Sequence, residues 1–204
     1  MNINLASQTQ LYLGLFERET YPWLWRLSQG IASAIDIGAA HGEYTLFFLK
    51  NTLASKIYAF EPSPIIMSHL RGNLGLNPKL GLERLVLSSK LVGRTQSKDI
   101  VCLDELTASI KLPCFIKMDV DGSEAEILLG AKLMNALPRV RWLIETHSIE
   151  LESQCVSLLE RAGFRTKIVE NAWWRIMLPE LRPIAHNRWL VAWKGDRMEP
   201  VVGE

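Results

Sequence analysis

AIDIGAAHGEYT (residues 34–45) joins an apolar run to Asp36, then to two glycines four apart, Gly38 and Gly42, then to Glu43 and a segment rich in Tyr, Leu and Phe. A buried strand that runs into glycines and then a helical pattern reads as the first strand-to-helix turn of a parallel α/β sheet. In such sheets ligands bind beyond the carboxyl ends of the strands, near the point where strand order reverses. Glycine lets the backbone turn sharply and approach a ligand closely. The helix that follows offers free N–H groups.

The rest of the chain repeats this pattern. SAIDIG (33–38), KIYAFE (56–61), CFIKMD (114–119) and RWLIET (141–146) read as buried strands. Between them, a helix is expected over 43–53. Another starts at Ser63 with Pro64 in its first turn, a favoured pairing because that position has no N–H to lose. A third starts at DGSE, where Asp121 and Glu124 have capping-box spacing. A fourth runs from Ser148 to Ala162, with Gly163 placed to end it. Strands alternating with helices imply a mostly parallel, doubly wound sheet covered on both faces. The tail is different: 164–169, 173–178 and 188–193 are strand-like with no helix between them. An antiparallel C-terminal strand pair is expected there, with 188–193 inserted beside the strand that ends in Thr146.

Composition narrows the function. The 204 residues suit one domain, expected as an N-terminal helical cover over 1–30 and a main body over 31–204. With 23 basic and 22 acidic residues the net charge is +1, which gives no general attraction for nucleic acid or membrane surfaces. The three cysteines are far apart and form neither a disulfide framework nor a zinc pattern. The N-terminus lacks a signal-peptide pattern and no apolar stretch is long enough to span a bilayer, so a cytoplasmic protein is expected.

The opening run is not a dinucleotide fingerprint, because Ala40 and Glu43 stand where G-x-G-x-x-G needs glycine. No Lys-Ser/Thr follows, so it is not a phosphate-binding P-loop. What remains is D-x-G-x-x-x-G, with Glu61 25 residues after Asp36 at the end of the second strand. An acid there can hold both hydroxyls of a ribose. A cradle without phosphate-binding features, joined to a ribose acid, suits a nucleoside that carries no pyrophosphate, and S-adenosylmethionine is such a molecule. The candidate contacts are Asp36, Gly38, Ala39, Ala40, His41, Gly42 and Tyr44 from the first turn. Glu61 and Pro62 come from the second, Ser88 from beyond it, and Asp119 from the end of CFIKMD.

Several segments resemble the FkbM-like family of class I, Rossmann-like methyltransferases. They are LGLFERE, AIDIGAAHGEYTLFFL, IYAFEPSPIIMSHLRGNLGLN, CLDEL, FIKMDVDGSEAEILLGA and LIETH, in family order over roughly residues 12 to 147. KMDVDGSE resembles the family's K-I-D-x-E-G-x-E, with Asp121 where Glu is usual. The resemblance implies S-adenosylmethionine-dependent methylation, usually on oxygen, of a small molecule, sugar or lipid. It also implies that Asp119 faces the transferring methyl or the acceptor. An RNA methyltransferase and a non-catalytic module of the same fold are the rival readings.

The candidate catalytic residues are Asp119, His147, Glu145 and Lys117. Lys117 lies inside an apolar strand, where a charge is costly unless paired. It either snorkels or pairs with Asp119, Glu124 or Glu145, and pairing is the expectation. His147 follows Glu145 just after RWLIET, on the rim where Asp119 should lie. A neutral imidazole there can take a hydroxyl proton, assisted by Asp119 or Glu145. Alternatively Asp119, Asp121, Glu145 and His147 hold a divalent ion. The metal-free route is preferred, because lysine and the helix cap should already occupy the carboxylates. The tryptophans of the last third are expected mostly in the core, and Tyr12 and Glu17 are candidate pocket residues of the cover.

Overall fold

The computed structural model describes residues 14–176 and 186–195. Its main sheet has seven strands in the order β3-β2-β1-β6-β7-β9-β8. These are β1 (Ser33–Ile37), β2 (Lys56–Phe60), β3 (Leu85–Ser88), β6 (Cys114–Met118), β7 (Val140–Thr146), β8 (Arg165–Val169) and β9 (Arg188–Trp193). β4 (Leu91–Gly93) and β5 (Ile100–Cys102) form a separate parallel pair, built from a stretch with no strand signal in the sequence. β3, β2, β1, β6 and β7 are parallel; β9 runs antiparallel between β7 and β8. The expected architecture and the insertion of 188–193 beside β7 are both present.

The helices are α1 (Tyr21–Ser28), α2 (Glu43–Asn51), α3 (Pro64–Gly75), α4 (Glu124–Gly130), α5 (Lys132–Ala136) and α6 (Ile149–Arg161). Two apolar clusters, one on each face of the sheet, form the core. Ile35, Ile37, Ile116, Met118 and Ile144 point into one cluster; Ala34, Phe115, Leu143, Trp189 and Val191 point into the other. Side chains alternate across a strand, so a strand buried on both faces is apolar along most of its length, with any charge in it paired. β1 and β6 are buried at every position.

Helix ends follow the sequence in two cases. The Ser63 hydroxyl accepts from the Ile66 amide at the start of α3, and the Ser148 hydroxyl accepts from the Leu151 amide at the start of α6. The capping box at 121–124 does not form. Ser123 occupies the cap position with no side-chain hydrogen bond, and the helix breaks at Ala131 between α4 and α5. Glu124 turns instead toward the end of β7, where a histidine side chain competes successfully for its carboxylate.

The tail departs from expectation at 173–178: Trp173–Ile176 is a turn of 3-10 helix, and the remainder lies outside the described residues. Trp142 and Trp189 are buried as expected, whereas Trp173 is exposed. Residues 1–13 of the expected cover, Tyr12 among them, also lie outside the described residues. Among the described residues no helix is long and apolar enough to cross a membrane.

Candidate functional site

Strand order reverses at β1: the chain passes outward through β2 and β3, then returns to β6 on the other side. The turns after β1 and β6 therefore flank the switch point, where open α/β sheets hold their ligands. Gly38 has a φ of 73°, and a Cβ on it would stand 1.8 Å from the Asp119 carbonyl oxygen. The glycine thus serves first to let the ends of β1 and β6 meet, not to admit a ligand. Gly42, with a φ of 99°, would bring a Cβ to 2.6 Å from Leu70 Cδ1, so it lets α2 start against α3.

Asp36 does not line the cradle. It is completely buried beneath the turn. Thr45 of α2 donates to its Oδ2 at 2.5 Å, and Lys117 Nζ lies 3.6 Å from its Oδ1. The register explains the pairing: Asp36 and Lys117 are Cα partners across β1 and β6, so their side chains emerge side by side. Lys117 also donates to the Gly38 carbonyl at 2.8 Å and lies 3.6 Å from Asp119 Oδ2. Its ammonium sits 4.9 Å from the centre of the Tyr44 ring. Burial would strip its charge, but the combined charges of Asp119, Asp36, Glu17 and Glu145 outweigh burial and raise its pKa. The expected pairing of Lys117 is thus with Asp119, joined by Asp36, and it ties the first turn to the rim.

Glu61 ends β2 as expected. Its Oε2 accepts from the Ala40 amide at 3.1 Å and its Oε1 from the Ser63 amide at 2.8 Å. Ala40 carries a φ of 46°, unusual for a residue with a Cβ. The carboxylate therefore joins the first turn to the second, and each oxygen retains a further lone pair. Pro62 follows it in the exposed turn, and Ser88 ends β3, whose carbonyl accepts from the Glu61 amide at 3.0 Å. Ala39 is buried. His41 stacks on the exposed His69, with ring centres 5.6 Å apart. Tyr44 lies with its ring against the Lys117 ammonium and donates to Glu17 Oε2 at 2.7 Å.

The second half of the site lies beyond β6 and β7. Lys117 and Leu143 are Cα partners. With a period of two, Asp119, Glu145 and His147 follow on the same face. Their ligating atoms all lie within 4.8 Å of one another. His147 Nδ1 is 2.6 Å from Glu124 Oε1, and its Nε2 is 3.6 Å from Asp119 Oδ1 and 3.8 Å from Asp121 Oδ1. Burial works against a positive imidazole here, but the Glu124 hydrogen bond and the charges of Glu124, Asp119 and Asp121 prevail. The His147 pKa is raised above its ordinary value. The partner expected for His147 was Asp119 or Glu145; the hydrogen-bonded partner is Glu124. No spacing rule reveals this, because β7 and the start of α4 meet only in the folded chain.

A cavity of about 260 Å³ opens between α1 and α2, lined by Phe16, Tyr21, Trp25, Tyr44 and Phe47 among others. Its lining includes none of Asp119, Glu145 and His147.

No protein-family model matches the chain, and no curated protein matches its sequence. Solved structures do match. Methyltransferase FkbM from Methylobacillus flagellatus KT aligns with a TM-score of 0.64 at 18% identity, covering 80% of this chain and 44% of that one. Precorrin-6y C5,15-methyltransferase from Geobacter metallireducens GS-15 gives 0.57 at 18% identity, over 88% of each chain. Precorrin 8w decarboxylase from Methanobacterium thermoautotrophicum gives 0.56 at 17% identity, over 88% of this chain and 90% of that one. The chain spans less than half the length of the FkbM chain and most of the length of the other two. At these identities the likeness is one of fold: a Rossmann-like methyltransferase fold with an antiparallel strand pair at its C-terminal edge.

Proposed function

We propose that this protein is an S-adenosylmethionine-dependent methyltransferase of the FkbM-like group, acting on a hydroxyl oxygen of a small molecule, sugar or lipid. One observation carries the reading. Glu61 and the Gly38–Gly42 turn form one rim at the switch point, and Asp119 and His147 form the adjoining rim across the end of β6. The residues suit the cofactor: a ribose acid at the end of β2, a tight glycine-bounded turn beside it, and no lysine positioned for phosphate. When bound, S-adenosylmethionine supplies a methyl group on a sulfonium. Transfer of that methyl to a hydroxyl oxygen would leave the cofactor's sulfur as a neutral thioether, with the hydroxyl proton passing to solvent.

The protein's part is chiefly placement, since an acceptor held close and in line accounts for much of such a rate. Lys117 fixes Asp119 from below through Oδ2 and leaves Oδ1 facing His147. Glu124 fixes the imidazole through Nδ1, so only Nε2 faces the acceptor side. The acceptor oxygen approaches these two groups from the open rim.

Calorimetry with S-adenosylmethionine and its demethylated product tests the reading. Saturable binding of both is expected, and both should be lost together in a Glu61 variant. No binding of either at millimolar concentration would refute it.

A further inference from the structure

We infer that Asp119, Glu145 and His147, with Asp121 at the rim, form a divalent-cation site. The preference for a metal-free route assumed that lysine and a helix cap already occupied the carboxylates; Lys117 does reach Asp119, but only through Oδ2. That cap is absent: Asp121 is 86% exposed, and its Oδ1 faces His147 Nε2.

Three features argue for an ion. The first is separation. The 3.6 and 3.8 Å gaps between His147 Nε2 and the oxygens of Asp119 and Asp121 are too long for hydrogen bonds. They are close to the spacing of neighbouring ligands around one ion, about 3 Å in octahedral and about 3.4 Å in tetrahedral geometry at bond lengths of about 2.1 Å. The second is orientation. A histidine that binds metal through one ring nitrogen usually donates the other N–H to a carboxylate, and Glu124, itself completely buried, takes that place at Nδ1. The third is division of labour within Asp119, whose Oδ2 faces Lys117 while Oδ1 faces His147.

One imidazole and two or three carboxylates form a mixed nitrogen and oxygen set, which suits Mn²⁺ better than Mg²⁺ or an all-thiolate metal. Glu145 is buried and Asp121 exposed, so the site is closed on the β7 side and open at the rim, where an acceptor oxygen can approach. A cation there offsets the negative charge that develops on a hydroxyl as it loses its proton. That role, though not the binding, rests on the methyl-transfer reading above.

The test uses the whole chain, stripped with a chelator, with neither cofactor nor acceptor present. Titration with Mn²⁺ alone, followed by electron paramagnetic resonance, should show one saturable site per chain. Asp119→Asn and His147→Gln should each weaken it at least tenfold. Glu124→Gln touches no ion, yet should weaken it about 10–100-fold. Circular dichroism selects variants that remain folded. Absence of a saturable site up to millimolar Mn²⁺, or a site unchanged in a folded His147→Gln protein, would overturn the inference. Because cofactor binding is measured separately, loss of one reading leaves the other standing or falling on its own result.

Discussion

The carbonyl oxygen of Asp119 lies so close to Gly38 that a Cβ there would meet it at 1.8 Å. The Asp119 amide also donates to the Ile37 carbonyl at 3.0 Å, which extends the β1–β6 ladder one step past the strands. The rim residue and the first turn are thus locked backbone to backbone. Gly38→Ala must part these strand ends as well as hold alanine at positive φ, and roughly 3 kcal/mol of stability should be lost. Gly42→Ala meets only the mobile end of Leu70 and should lose less, about 1–2 kcal/mol. Urea unfolding of both variants checks this, and the reverse order would contradict the geometry.

Lys117 and Asp36 form a buried pair next to Thr45 and Asp119. Removing one partner of such a pair typically costs about 3–5 kcal/mol, because the other charge stays buried and uncompensated. Lys117→Met should behave this way. Adding Asp36→Asn removes the stranded charge and should restore part of the loss. A double-mutant cycle by chemical denaturation measures the coupling; strictly additive losses would show that the pair does not act as one.

Glu61 accepts two backbone amides and is also the proposed ribose acid. Glu61→Gln keeps the shape but replaces one acceptor oxygen with a donor. We expect a stability loss of about 1–2 kcal/mol for the orphaned amide, together with cofactor affinity at least tenfold weaker. Calorimetry paired with thermal melting separates the two effects. Unchanged affinity in the folded variant would remove Glu61 from the site.

Burial pushes the Cys114 and Cys155 thiols up to about 12, and both are inaccessible in the core. The thiolate is the reactive form, so neither should be alkylated in the native protein between pH 7 and 9. Iodoacetamide followed by mass spectrometry should mark at most Cys102 before unfolding and all three afterwards. Native labelling of Cys114 would contradict its place in β6.

β9 lies between β7 and β8, so its loss exposes two strand edges, not one. A chain ended after Asn187 should lose its cooperative thermal transition. A melt close to that of the full chain would show that the sheet does not depend on β9.

The sheet was legible in the sequence because burial on both faces leaves a one-dimensional trace. β1, β2, β6 and β7 are short, mostly apolar runs whose few charged members fall at or near their carboxyl ends or first positions, and Ser63 with Pro64 marks a helix start through local hydrogen bonding and fixed φ. That Asp119 and His147 would meet at one rim was also legible, since both follow the carboxyl ends of strands expected to be parallel neighbours. The 3-10 turn at Trp173 and the short pair β4–β5 left no such trace, since neither forms a continuous buried run.

What the sequence could not determine is which acid meets which base. The capping spacing of Asp121 and Glu124 is a local rule, and it lost to a contact between α4 and the end of β7, elements brought together only by the wound sheet. Lys117 likewise found Asp36, a partner 81 positions away, through the register of β1 against β6. Where the strands lie follows from residues near in sequence. The charge network of the site follows from neighbours across strands, where low dielectric makes each pairing strong enough to override local preference.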